Sequence, residues 1–115
     1  MRAPDLELLW WEGCPSTERA LAELHEALSD VGLDQAAVRI REIETDDQAS
    51  QAGFRGSPTI LVDGVDIAGA NPDDHVGLGC RVYRRRDGRI SPTPDPEDLR
   101  DALRRAARSE KEPTR

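Results

Sequence analysis

The spacing of apolar residues divides the chain into short strands and amphipathic helices. Residues 6–11 are almost entirely apolar, which is typical of a buried central strand. Beyond them, apolar residues recur at intervals of three and four, which predicts one face of a long helix that stops at Gly32. These residues are Leu21, Leu24, Leu28 and Val31.

The pattern then predicts a second strand, a short helix, a hairpin and a closing helix. Residues 38–43 alternate as a strand does, and residues 45–48 have the form of a capping box that opens a helix ending near Gly53. Residues 59–67 form two strand-like runs around an Asp-Gly turn signal. The closing helix is predicted to begin after Asp95 as the cap, with Pro96 in its first turn. Its apolar face is Leu99, Ala102, Leu103 and Ala106.

The predicted order is therefore β-α-β-α-β-β-α in an α/β domain. The length of 115 residues favours a single domain, which we place at residues 1–109. An inserted loop is expected at residues 69–94, and residues 110–115 are expected to be a flexible tail.

Composition narrows the classes of function. The net charge of −7 argues against nucleic acid as a partner, because binding to phosphates needs a cationic surface. The only basic cluster, residues 84–86, stands beside an Asp-Gly turn signal and is interpreted as a solvated hairpin end. No apolar run is long enough for a membrane span, and the N-terminus lacks a signal-peptide pattern, so we expect a cytoplasmic protein with cysteines as thiols.

Two motifs together resemble the thioredoxin superfamily. They are WEGCPST at residues 11–17, after the first strand, and GFRGSPT at residues 53–59, before the hairpin. The resemblance implies a thioredoxin-like fold with a central four-stranded mixed sheet flanked by helices. It also implies a cis Pro58 that leaves the Ser57 peptide open to an extended substrate segment. The substrate-binding residues would then be Trp11, Ser57, Pro58 and Thr59, with no cofactor or metal required.

Cys14 is the candidate nucleophile because it is predicted to lie at a helix start, with Pro15 as the first helical residue. Helix N-termini favour the thiolate, and this effect would lower the pKa of Cys14 from about 8.5 to roughly 7–8. A plain buried cysteine is the alternative. Thr17 stands where the family has its second cysteine, and a hydroxyl cannot resolve a mixed disulfide. Cys14, Thr17 and Cys80 are the candidate catalytic residues.

Cys80 lies in the inserted loop, which leaves the sheet at the same end as Cys14 if the second hairpin strand runs parallel to the first. Cys80 could then act as the resolving cysteine or as a second thiolate for a soft metal. Alternatively, it is a packed residue of an extra edge strand at residues 79–83.

Three functions remain open at this point, and the sequence does not decide whether the protein is an enzyme. The first is a thiol–disulfide oxidoreductase acting on a protein or small-molecule thiol or disulfide. The second is a protein that binds Hg(II) or an organomercurial through Cys14 and Cys80, since these two cysteines with Thr17 resemble the alkylmercury lyases. The third is a non-enzymatic module that holds a peptide beside Pro58.

Overall fold

A computed structural model describes residues 4–33, 36–68, 77–79 and 81–111, with side chains up to residue 107. Its elements follow the predicted order, with one additional hairpin in the insertion. They are β1 (Leu6–Trp10), α1 (Thr17–Asp30), β2 (Val38–Glu42), α2 (Asp46–Ala52), β3 (Thr59–Val62), β4 (Val65–Asp66), β5 (Tyr83–Arg84), β6 (Ile90–Ser91) and α3 (Pro96–Lys111).

The four-stranded sheet is mixed, as predicted. Its strand order is β2-β1-β3-β4, with β1 parallel to β2 and antiparallel to β3. Because β4 is antiparallel to β3, it runs in the same direction as β1. The C-terminal end of β4 therefore lies at the same end of the sheet as the C-terminal end of β1, after which Cys14 follows. This confirms the prediction that the second hairpin strand runs parallel to the first strand.

The turns that connect these elements use the residues expected of them. Gly32 follows α1 with a φ of +79°, and the amide of Leu33 donates to the carbonyl of Leu28, which closes a Schellman motif. The hairpin between β3 and β4 turns at Asp63 and Gly64, which both have positive φ, as a type I′ turn requires.

Helices cover both faces of the sheet. Successive residues of β1 point to opposite faces, so Leu8 and Leu9 enter different apolar clusters. Leu8 packs with the apolar faces of α1 and α3, whereas Leu9 packs with Ala49 of α2 and with Phe54. This arrangement leaves the carboxyl end of β1 between the two layers, where the motif containing Cys14 begins.

The insertion contains a separate small sheet. Tyr83 pairs with Ser91 and Arg84 pairs with Ile90 around the turn that includes Gly88, at the predicted hairpin end. The extra edge strand expected at 79–83 is therefore wrong in its extent among the described residues. The strand is Tyr83–Arg84, and it pairs with β6 in a sheet of its own.

The closing helix is fixed to this hairpin by its cap. Asp95 accepts hydrogen bonds from the amides of Arg86 and Glu97, and these bonds lower the pKa of its carboxyl group. The helix continues to Lys111, so residues 110 and 111 of the expected tail are helical, and the rest of the tail lies outside the described residues. No helix in the described part of the chain is long and apolar enough to cross a membrane.

Candidate functional site

Cys14 lies in the turn that joins β1 to α1, and its side chain is 7% exposed. The helix begins at Thr17, so the prediction that Pro15 opens the helix is wrong. Pro15 instead occupies the second position of a turn, where its fixed φ is favoured. Ser16 follows with φ −94° and ψ 2°, the values of the next position of a type I turn.

The sulfur of Cys14 contacts a backbone carbonyl. Its Sγ donates to the carbonyl oxygen of Ser57 at 3.3 Å, and its amide donates to the carbonyl of Trp11 at 3.0 Å. A carbonyl can only accept a hydrogen bond, so this sulfur contact is made by the protonated thiol. The lowered pKa expected for Cys14 stays a prediction.

Trp11, whose role in substrate binding stays a prediction, lies in the same turn as Cys14. Its ring packs so closely over Gly13 that a Cβ at that position would lie 2.2 Å from the ring carbon Cη2. Trp11 is half-buried against the cluster around Phe54, whereas Trp10 packs against the cluster on the opposite face. Trp10, the last residue of β1, and Trp11, which follows it, thus lie on opposite faces of the sheet.

Replacing Gly13 by Ala should displace the Trp11 ring without unfolding the protein, because the obstructing atoms belong to a side chain. In a Trp10→Phe background, we expect the tryptophan emission maximum to shift to longer wavelength as the ring enters water. Gly79→Ala is the matched control, since a Cβ at Gly79 meets no described atom. An unchanged emission spectrum in Gly13→Ala would contradict this packing.

The loop before β3 contains a cis peptide bond between Ser57 and Pro58, which confirms the sequence prediction. The expectation that Ser57 is open to a substrate segment is wrong, because its backbone is already paired. The amide of Ser57 donates to the carbonyl of Gly79, and its carbonyl accepts from the amide of Arg81, both at 2.8 Å. At Gly56, a Cβ would lie 3.0 Å from Arg81, so the two backbones approach closely. The chain thus fills this edge with its own residues 79 and 81.

Cys80, the residue between those two, lies outside the described residues, and its predicted roles stay predictions.

The hydroxyl groups of Thr17, Ser57 and Thr59 in the two motifs are buried. Thr59 is 1% exposed and donates to the carbonyl of Gly56 at 2.6 Å, so its hydroxyl hydrogen is also used within the chain. The hydroxyls of Thr17 and Ser57 are buried and form no hydrogen bond with a described residue. The catalytic role of Thr17 also stays a prediction.

The sequence did not predict a buried polar network that lies beside the loop before β3. Arg81 donates to Asp66 at 2.7 Å and to the hydroxyl of Thr59 at 3.2 Å, and its guanidinium lies 4.8 Å from the centroid of the Tyr83 ring. Burial raises the pKa of Tyr83 well above its ordinary value, so its hydroxyl stays protonated and donates to the carbonyl of Pro58. No signal for this network is present in the sequence, because residues 81–84 are Arg-Val-Tyr-Arg and this pattern does not place the arginine inside and the valine outside.

The described residues contain no cluster of three or more histidine, cysteine or acidic side chains that could hold a metal ion. The Hg(II) hypothesis depends on Cys80 and stays a prediction. No protein-family model matches the chain, and no curated protein matches it. Its function is therefore argued from the site.

Proposed function

We propose that this protein is a thioredoxin-like thiol–disulfide oxidoreductase in which Cys14 attacks the substrate and Cys80 resolves the intermediate. The observation that carries the proposal is the position of Ser57. Its carbonyl oxygen contacts the sulfur of Cys14, and its backbone is bonded to both sequence neighbours of Cys80. A disulfide needs Cα atoms within about 7 Å of each other, and a shared peptide supports such an approach.

The sheet supports the same proposal. Cys14 follows the central strand β1, and the cis peptide of Ser57 and Pro58 precedes the adjacent antiparallel strand β3. The two motifs of the thioredoxin resemblance therefore meet at one end of the sheet. The absence of a second cysteine at position 17 leaves Cys80 as the internal partner for Cys14.

The proposed reaction proceeds by two exchanges. The thiolate of Cys14 attacks one sulfur of the substrate disulfide, forms a mixed disulfide and releases the other sulfur as a thiolate, which takes up a proton. The thiolate of Cys80 then attacks the sulfur of Cys14 and releases the second substrate thiol. The substrate gains two electrons, and the protein is left with a disulfide between Cys14 and Cys80. An external thiol must reduce that disulfide for a further cycle.

The two cysteines can be distinguished by single-turnover reaction with bis(2-hydroxyethyl) disulfide, a small uncharged substrate. The pre-reduced wild-type protein should release both mercaptoethanol molecules and retain no adduct in its intact mass. Cys80→Ser should release one and keep the other bound to Cys14, because no internal thiol resolves the mixed disulfide. Cys14→Ser should lose the rapid reaction.

Cys14→Ala serves as a second variant, since it removes both the thiol and the hydrogen bond to the carbonyl of Ser57, and circular dichroism reports whether each variant is folded. Rapid reaction in both Cys14 variants would overturn its role as nucleophile. Full release without an adduct in Cys80→Ser would overturn resolution by Cys80. A wild-type thiol that reacts no faster than free cysteine would instead favour a non-enzymatic module.

A further inference from the structure

The hairpin of residues 81–92 exposes one face that the fold leaves uncovered. Tyr83 and its partner Ser91 face inward and are buried. Because strand residues alternate between faces, Arg84 and its partner Ile90 face outward. Val82 lies two residues before Arg84 and therefore faces the same way. Val82 and Ile90 are 64% and 68% exposed, so this face presents two large apolar side chains to water. We call this surface the outward hairpin face.

Arginines flank these apolar side chains. Residues 81–92 contain five arginines and one aspartate, in a chain whose net charge is −7. Arg86 is held by Asp98 and Asp101 of α3, and Arg89 is paired with Asp87. By contrast, Arg84 and Arg85 form no ion pair with a described residue. Arg85 attracts Asp87 and Asp95 only at longer range, so both guanidinium groups can still form an ion pair with an acidic partner.

Two concavities adjoin the outward hairpin face. On one side, a depression of about 310 Å³ is lined by Arg85, Arg89 and Ile90, together with Arg19 from the first turns of α1. On the other side, Arg84 and Val82 line a cleft of about 500 Å³. Two acidic residues also line this cleft, but both are already engaged: Asp98 by Arg86, and Asp95 by the two amides that it accepts.

The hairpin is also connected to the candidate site. Tyr83 donates to the carbonyl of Pro58 from the inner side of β5, and Arg19 lies five residues after Cys14 at the rim of the smaller depression. A chain segment bound in the smaller depression would therefore contact α1, the helix that follows the turn containing Cys14.

We infer that the outward hairpin face docks an extended, acidic and partly apolar segment of a protein substrate, whose disulfide is then presented to Cys14. This inference rests on the proposed function and assigns it a substrate class. Charge complementarity selects an acidic segment, because Arg84 and Arg85, which form no ion pair with a described residue, lie beside exposed aliphatic side chains. Nucleic acid fits less well, since the face has no exposed aromatic side chain on which a base could stack.

Binding can be tested apart from the chemistry by using Cys14→Ser protein and fluorescein-labelled peptides that lack cysteine. A peptide of alternating Glu and Val should bind, as measured by fluorescence anisotropy, and binding should weaken with rising salt. Alternating Lys and Val should not bind, and alternating Glu and Ser should bind more weakly. The double substitution Arg84→Glu and Arg85→Glu should weaken binding of the Glu and Val peptide about tenfold.

The matched control is Arg104→Glu with Arg105→Glu on α3, which makes the same change in net charge and should alter binding by less than about twofold. Equal binding of acidic and basic peptides, or equal losses in the two double variants, would overturn the inference. So would tighter binding to single-stranded DNA than to the acidic peptide, or self-association that the hairpin substitutions abolish. Failure here is distinct from failure of the proposed function, because the hairpin variants should still release thiols from bis(2-hydroxyethyl) disulfide at the wild-type rate.

Discussion

Replacing Asp66 by Asn should lower the free energy of unfolding by about 3 kcal/mol, because it removes a carboxylate charge that is paired with a buried guanidinium. The side chains of Arg81 and Asp66 are 8% and 11% exposed, and the ion pair between them is 2.7 Å long. Breaking a buried pair leaves one charge in a poorly solvated position, whereas most surface pairs contribute little. Asparagine keeps the size of the side chain, so the expected loss reflects charge more than packing. Urea unfolding followed by circular dichroism measures it.

Glu97→Gln provides the matched control, because Glu97 forms a half-exposed ion pair with Arg100 on α3. Its loss of stability should stay below about 1 kcal/mol. Substituting both members of the buried pair, Arg81→Met with Asp66→Leu, should recover part of the Asp66→Asn loss, since the buried guanidinium is removed together with the carboxylate. Equal effects of Asp66→Asn and Glu97→Gln would show that burial adds nothing to the Arg81 pair.

The strands and helices follow closely from local sequence patterns. The apolar run of β1, the spacing of α1 and the Asp-Gly turn between β3 and β4 each act over a few residues, so their physical causes are visible in the chain. The cap of α2 is an instructive partial case. Thr45 accepts from the amide of Gln48, as a capping box requires, but the Gln48 side chain accepts from the amide of Glu44 instead of Thr45.

The contacts that define the candidate site could not be predicted in the same way. Ser57 pairs with residues 79 and 81, and Arg81 pairs with Asp66, across separations that no periodic pattern encodes. The resemblance suggested an open Ser57 peptide because it describes a fold without this insertion. The start of α1 was also misplaced, since proline is favoured both at the first helical position and at the second position of a turn.

Oxidising the purified protein should raise its free energy of unfolding by about 4 kcal/mol if Cys14 and Cys80 form the proposed disulfide. Such a bond would close a loop over residues 14–80, and in the chain-entropy model a long closed loop restricts the unfolded chain more than a short one. The native structure should adapt easily, because Ser57 already holds the Cys14 sulfur and the backbone on both sides of position 80. Urea unfolding of the oxidised and reduced forms, with the bond assigned by peptide mapping, measures the difference.

The Cys80→Ser variant separates this effect from any other consequence of oxidation, since it keeps Cys14 and cannot close the loop. Its stability should be the same before and after treatment with oxidant, apart from dimers that non-reducing electrophoresis would reveal. An oxidised wild-type protein with no added stability would mean that the bond strains the native fold by as much as it restricts the unfolded chain. A strained disulfide is also easily reduced, so the protein would then oxidise the thiols of its substrates. A large gain would instead fit a reductase, in which the stable internal disulfide drives the reduction of the substrate.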